Sequence, residues 1–515
     1  MILTFTELKN KIAGCWSGKN IGGCLGAPYE GPRRINNVTF YDKAIIENPP
    51  ANDDLDLQLL WLNAVERYGK FVNSDILSEF WLSYVIPNWV EYGSSKSNLK
   101  MGFKPPFSGI MDNDYCNSNG AYIRSEIWAC LCPGRPDIAV RYAYQDAVID
   151  HGDEGMYAEI FCTAIESACF VENDPLKLIK IGLSYIPENC ACAKAVNMVV
   201  KEYRNGTDWK DLRHKLLSEI TCNFGIQDKD PAIRCTDYPP AKPGYDSPCH
   251  IGFLALSWLY GEGDFEKSIC IATNLGDDAD CTSASMGAIL GIILGNDGLP
   301  EKWTKPLNNK ITTMCINRTG TGISVPLTVE ELTDRVLSCI PSFISDKCDL
   351  HFKTDKYAVN ALDKDNLAFA KSKRLPLIDT NTMEQLYPFE KIRELSPYAV
   401  LYQFPTINAV LDYHGENRIE NGETKKLTLT ITDNGVLNEQ RWLEVFVFTK
   451  DDGLTVKKGK YTACALQVTH DYKAVVEIEL VAGEQFNSPK SEFYIDIQVA
   501  NRHTTTLIKG FFINK

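Results

Sequence analysis

Apolar residues recur at helical spacing through residues 75–90, 156–171, 175–186 and 249–260, with Gly, Pro and Asn between them. This pattern predicts a mostly helical chain from residue 1 to about 345. From about residue 425 the texture changes. KLTLTITD, WLEVFVF, AVVEIELVAG, EFYIDIQVA and TTTLIKGFFI are short, β-branched, aromatic-rich runs, several alternating apolar and polar positions. Asp433-Asn434-Gly435 and Asp451-Asp452-Gly453 are turn signals between some of them. Five or more such strands in about the last 100 residues predict an antiparallel β-sandwich. Residues 346–424 carry Pro and charge, and further strands there could begin the β domain. The expected fold is multidomain, with an all-α domain over residues 1–345 and a connector plus sandwich over 346–515.

The length of 515 residues agrees with this division, at about 100–200 residues per domain. With 44% hydrophobic and 23% charged residues the composition is that of a globular protein, and it excludes a disordered, collagenous or disulfide-stapled small one. The formal charge of −14 argues against a nucleic-acid or anionic-membrane partner. Eighteen cysteines form no C-x-x-C pair and lie at no zinc-finger spacing from histidine. They read as small buried hydrophobes in a reducing compartment. The N-terminus has no basic start followed by an apolar run, and AILGIILG is too short to span a bilayer. The expected location is the cytoplasm, although an exported chain trimmed of its signal would read the same. A homo-oligomer is left open.

Two ladders of glycine stand out. Gly14, Gly18, Gly22 and Gly26 recur at every fourth residue, as do Gly287, Gly291 and Gly295. On a helix this spacing stacks them on one face, where another backbone can approach closely. Each glycine weakens a helix by about 1 kcal/mol relative to alanine, so the ladders need a compensating benefit. Tight helix packing is one. Bringing the polar ends of the two segments together is the other.

Acids lie beside each ladder. Gly26-Ala27-Pro28-Tyr29-Glu30 ends the first, and Asn52-Asp53-Asp54-Leu55-Asp56 follows soon after. Asn274-Leu275-Gly276-Asp277-Asp278-Ala279-Asp280-Cys281 precedes the second. The apolar runs after each cluster predict that both open helices. One or two acids there would simply complement the helix dipole. Three within four residues, twice, repel one another and raise each other's pKa, which a hard divalent cation would relieve. Two such clusters could hold two ions about 3.5–4 Å apart. The absence of His from both argues against zinc, and ligand type does not separate Mg²⁺ from Mn²⁺.

At these residues the sequence resembles the ADP-ribosylglycohydrolase family. GCWSGKNIGGCLGAPYEG is similar to its Gly-rich helix ending in glutamate, Asn52-Asp53-Asp54 to its Ser/Thr-Asp-Asp motif, and Asp277-Asp278-Ala279-Asp280-Cys281 to its Gly-Asp-x-Asp-Thr motif. Ser118-Asn119-Gly120-Ala121-Tyr122-Ile123-Arg124 resembles the family's Gly-Asn-Gly segment, and Asp146-Ala147-Val148-Ile149-Asp150-His151-Gly152 its Thr-His-Gly segment. The resemblance spans about residues 8–340. It implies an all-α fold with a binuclear Mg²⁺ centre, Mn²⁺ being the alternative. Asp53, Asp54, Asp278 and Asp280 would be the carboxylate ligands, with Asn52 and Cys281 at the positions of the family's Ser/Thr and Thr. Glu30 would act as general base or gate the pocket, and Ser118, Asn119, Gly120 and His151 would line it. The implied substrate is ADP-ribose joined through its anomeric carbon to a protein side chain or a small acceptor. Four departures are plain: Asn52, Cys281, Asp277 in place of a Gly, and Asp56, an added acid beyond Asp53.

Cleavage at an anomeric carbon builds oxocarbenium-like charge, which a carboxylate-rich site suits. Either Glu30 or a metal-ligating Asp such as Asp54 would take the proton. Tyr29, Tyr122 and Trp128 could stack on a base or sugar or be core, and His250 is a weaker candidate. The altered motifs keep two other readings open: a hydrolase of another N- or O-glycoside, nucleoside or carbohydrate, and a non-catalytic sugar-nucleotide binder. The sandwich could contact carbohydrate, act as a lid or serve dimerisation.

Overall fold

The computed structural model describes residues 1–220, 244–318, 322–344, 348–351, 356–369, 392–404, 406–433, 440–450, 453–484, 489–500 and 505–514. The chain divides into two compact units, Met1–Ala370 and Lys371–Lys515.

The first unit is helical, and its organising contact is between the two glycine ladders. The Phe5–Gly26 helix starts at a capping box, in which Thr4 and Glu7 satisfy each other's backbone N–H groups. It lies antiparallel to the Ala279–Leu294 helix: Gly14 faces Gly291, Gly18 faces Gly287, Gly22 faces Ser283 and Gly26 faces Asp280. A β-carbon at any of these four would sit 2.0–2.3 Å from backbone atoms of the partner helix. Only glycine permits that approach, so the ladders are the reason two distant segments meet.

Both acid clusters open helices as expected, at Asp53–Tyr68 and Ala279–Leu294. The apolar patterns at 156–171, 175–186 and 249–260 appear as the helices Asp153–Ala168, Pro175–Ser184 and Ser247–Gly261. Residues 75–90 do not form one helix. Ser74–Tyr84 ends ahead of Pro87, which disfavours helical backbone before it, and a new helix runs Val90–Lys100. The buried Lys96 ammonium fills the gap, donating to the carbonyls of Val85 and Pro87.

Residues 346–424 split between the units. Lys356–Asn360 lies between Ile2–Leu3 and Cys348–His351, pairing with both, in a small three-stranded sheet of the first unit. Ala399–Gln403, Ile407–Asp412 and Arg418–Ile419 join the second.

The second unit holds two five-stranded sheets. One runs Tyr461–Leu466, Arg441–Thr449, Lys490–Val499, Thr505–Asn514, Arg418–Ile419; the other runs Ala399–Gln403, Ile407–Asp412, Thr424–Asp433, Lys473–Ala482, Leu454–Lys458. Alternation sets their facing. In Lys473–Ala482, Ala474, Val476, Ile478, Leu480 and Ala482 are buried while Lys473, Val475 and Glu477 are exposed. Among the described residues the pairings are antiparallel except Thr505–Asn514 with Arg418–Ile419, which is parallel. Of the expected turns, Asn434-Gly435 and Asp451-Asp452 lie outside the described residues. No described helix is long and apolar enough to cross a membrane, and no described cysteine is in a disulfide.

Candidate metal centre

The acids converge where the Phe5–Gly26 helix ends. A β-carbon on Gly23 would lie 2.1 Å from the Asn52 amide nitrogen, and one on Gly26 would lie 2.3 Å from the Asp280 Cα. The bare end of one helix therefore receives the starts of two others. The chain then passes through the short 3₁₀ turn Ala27–Tyr29 to Glu30. The next residues are laced to the second cluster: Gly31 N–H donates to Asp277 O (2.8 Å), and Asp277 N–H donates to Pro32 O (3.1 Å). Arg33 Nε lies 2.9 and 3.0 Å from the two Asp277 carboxylate oxygens, in a fully buried ion pair.

This placement gives Asp277 a structural role. Its backbone is left-handed (φ 56°), a conformation asparagine and aspartate tolerate better than most residues, and its charge is matched by Arg33. His250 holds the same turn. Its Nε2 accepts the Asp278 N–H (3.2 Å), which makes Nδ1 the donor to Asp246 O (2.9 Å). Asp56 is held on one side only: one of its oxygens accepts the N–H groups of Met314 and Cys315 at 2.7 and 2.6 Å, while its Oδ1 is buried without a hydrogen-bond partner and it joins neither group below.

What remains is two overlapping groups. Oxygens of Asp54 and Asp280 and the sulfur of Cys281 lie within 4.8 Å of one another, all three residues buried. Oxygens of Glu30, Asp278 and Asp280 do the same, with Glu30 at the exposed edge. Asp280 belongs to both. Asp53 is half-buried beside them, 3.5 Å from the Tyr92 hydroxyl. Burial, and after it the neighbouring carboxylates, push Asp278 and Asp280 well above the usual carboxylate range. Asp54 rises too, although Lys19 opposes the effect of its burial. Burial and the Asp53 charge raise Glu30, and the Tyr245 hydroxyl, bonded to it, acts the other way.

A divalent cation fits this donor set. Asp54 Oδ2, Asp278 Oδ1, Asp280 Oδ1, Asn119 Oδ1 and the Tyr122 hydroxyl are buried with no hydrogen-bond partner in the protein. Acceptor oxygens left so, among mutually repelling carboxylates, are the arrangement that a bound cation completes.

The other predicted residues separate by role. Asn52 is the N-cap of the Asp53–Tyr68 helix, its oxygen accepting the Asp54 N–H at 2.7 Å. Asn119 donates to Asp278 Oδ2 at 2.7 Å, which brings its side chain directly to the acids. Ser118, Gly120 and His151 form the wall behind it. The Ser118 hydroxyl is 2.9 Å from His151 Nε2, His151 Nδ1 lies 2.8 Å from Asp150 Oδ1, and Gly120 leaves room for the Glu91 carboxyl, 2.1 Å from where a β-carbon would sit. Arg124 binds Asp146, Asp150 and the Gly120 carbonyl beneath this wall. Trp128 is core, donating to Asp146 and stacked on Tyr142, and Tyr29 is partly exposed.

Sequence reasoning missed Lys19, Glu126 and Tyr245. Lys19, 1% exposed, bonds Glu126 and the Ile123 carbonyl, both at 2.8 Å, and its charge acts on the Asp54 carboxyl. A lysine inside a glycine ladder was a legible signal for it. Tyr245 had none: it reaches Glu30 because Ser247 is bonded to the backbone at Asn117 and Ser118. A separate groove of about 620 Å³ runs beside the Phe5–Gly26 helix from Lys9 to Ile21, lined also by Asn296, Lys305 and Thr333, and contains none of the clustered acids.

The ADP-ribosylglycohydrolase family model matches residues 4–338. A search of curated proteins finds no match. The matched span contains both ladders, both acid clusters and the Ser118–Gly120 and His151 segments that the fold gathers around them. The chain belongs to the ADP-ribosylglycohydrolase family.

Proposed function

We propose that the protein is a divalent-cation-dependent hydrolase of the bond between the anomeric carbon of ADP-ribose and a side chain or small acceptor. The observation that carries this reading is the convergence of Glu30, Asp54, Asp278 and Asp280 in two overlapping groups with unpartnered oxygens. Glu30, Asp54, Asp278 and Asp280 would hold the cations, Mg²⁺ or Mn²⁺ being suited to oxygen donors, with Asp53 adding charge beside them. A cation there supplies Lewis acidity toward a substrate or water oxygen.

The protein's own groups do the rest. The carboxylates face the positive charge that develops on the ribose ring as the glycosidic bond breaks. Glu30 takes the proton of the attacking water, because it is the exposed member of the group and Tyr245 orients its carboxyl. Asp54 is 1% exposed and acts as a ligand. Asn119 fixes Asp278, while Ser118 and His151 hold the Asn119–Gly120 backbone against the substrate side.

A second reading, a hydrolase of a nucleoside or carbohydrate glycoside, is favoured by the outer face of one β-sheet. There Trp442 is 66% exposed, and Phe446 and Phe448 line up with Tyr461 and Tyr494 of the adjacent strands. Of these rings Trp442, Phe448 and Tyr461 are exposed, and with Glu444 on the same face they suit sugar stacking. One assay panel separates the readings: ADP-ribosyl-arginine, ADP-ribosyl-serine, O-acetyl-ADP-ribose, nucleosides and aryl glycosides, each with and without divalent cation. Free ADP-ribose is expected from one of the first three, lost on chelation and in Asp278→Asn/Asp280→Asn with the fold retained. Full activity in that double variant rejects the mechanism. Turnover of nucleosides or aryl glycosides alone selects the second reading, and binding of ADP-ribose without turnover marks a non-catalytic binder.

A further inference from the structure

The two groups that share Asp280 differ in kind. The outer one, Glu30, Asp278 and Asp280, offers oxygen alone and reaches the surface. The inner one, Asp54, Asp280 and Cys281, is wholly buried and includes a sulfur. Cys281 Sγ lies 3.2 Å from Asp54 Oδ1, on the first turn of the helix that starts at Ala279, and is 8% exposed. Two oxygens of this inner group, Asp54 Oδ2 and Asp280 Oδ1, are buried without partners, so the sulfur stands among acceptors that already need a cation. Thiolate sulfur selects zinc-like ions, whereas carboxylate and water oxygens suit Mg²⁺ and Mn²⁺.

We propose that the centre is chemically asymmetric: the inner position takes a thiophilic divalent cation of the Zn²⁺ or Co²⁺ type through Cys281, and the outer position keeps a hard cation such as Mg²⁺. This rests on the metal-centre reading above. Ligation replaces the thiol proton by the metal, and the proton leaves to solvent. The sulfur thereby fixes which ion occupies the buried half of the site, while the exposed half remains free to exchange with the ions of the medium.

Co²⁺ is the probe. The full chain, stripped by a chelator, is titrated with Co²⁺ alone and in large excess of Mg²⁺, and bound metal is counted by elemental analysis after dialysis. The first equivalent is expected to produce a near-ultraviolet thiolate-to-cobalt charge-transfer band that survives the Mg²⁺ excess. Cys281→Ser keeps a hydrogen-bond donor to Asp54 but removes the sulfur, and it should abolish the band and shift Co²⁺-over-Mg²⁺ preference by at least about tenfold. Cys281→Thr is a second variant of the same kind, and circular dichroism checks that each folds. Co²⁺ bound by the wild type with no such band overturns the inference while leaving a carboxylate centre standing, whatever the variants do. So does a band that Cys281→Ser or Cys281→Thr retains. Absence of saturable divalent binding, or binding unchanged in Asp278→Asn/Asp280→Asn, overturns the centre itself.

Discussion

Each acid cluster contains three carboxylates, and in each the fold diverts one to architecture. Asp56 accepts two backbone N–H groups of the 314–315 loop, and Asp277 is neutralised by Arg33. The four left over, Asp53, Asp54, Asp278 and Asp280, are those that the family resemblance implies as ligands. Residue types alone could not make this division, because it depends on Arg33 and on a loop some 260 residues from Asp56 in the chain. The same dependence governs the wall behind Asn119. Arg124 is fully buried with Asp146 and Asp150, at 2.7 and 2.5 Å. Burial alone would raise Asp150, but the Arg124 guanidinium and then His151 bring it down to about 2. Arg124→Met would leave two buried carboxylates uncompensated, and a loss of about 3–5 kcal/mol is expected in urea unfolding. A loss under about 1 kcal/mol would mean that the pair carries little of the wall.

Among the elements, the paired ladders decide the most. Helical glycines every fourth residue announced a close approach, and the approach is between the ladders themselves. Gly22→Ala, closest to the acids apart from Gly26, would put a β-carbon 2.0 Å from Ser283 O. The helices must part, at about 1–3 kcal/mol, and the Gly26–Asp280 contact must loosen with them. Lower thermal stability is expected together with weaker divalent binding by calorimetry; unchanged binding would separate the ladders from the site. In the second unit, the strands Lys490–Val499 and Thr505–Asn514 carry a charge cluster on one face. Burial would raise the Glu492 carboxyl, yet bonds from Lys509, Tyr494 and Lys490 outweigh it and bring it to about 2. A carboxyl depressed in the folded state stabilises above its unfolded value, near 4.5, and that contribution disappears as pH falls toward about 2. Allowing for solvent screening, Glu492→Gln should cost about 1 kcal/mol at neutral pH and flatten the stability profile between about pH 4.5 and 2. Thermal denaturation across that window reads both.

At the scale of the whole molecule, the change of texture near residue 425 was legible because helix and strand write different hydrophobic periods. The end of the helical unit was not, because Cys348–His351 and Lys356–Asn360 look like the sheets to come but pair with each other, and Lys356–Asn360 pairs in turn with the chain's first strand, Ile2–Leu3. Val359 is fully buried there and the Tyr357 hydroxyl donates to Leu337 O. A fragment of residues 1–345 should therefore be less stable than one of 1–370 by about 2 kcal/mol or more, roughly the value of one fully buried side chain, as measured by thermal unfolding. Equal stability would make the small sheet dispensable. By itself the sequence determined what is local and periodic: the helices, the strands, the ladders and the two acid clusters at helix starts. Tertiary structure alone decided that Asp277 and one oxygen of Asp56 are taken up as clamps, and that Lys19 and Tyr245 belong to the same place as the acids. Those outcomes are set by contacts between residues far apart in the chain, and the free energy of a buried charge depends on what the fold puts beside it.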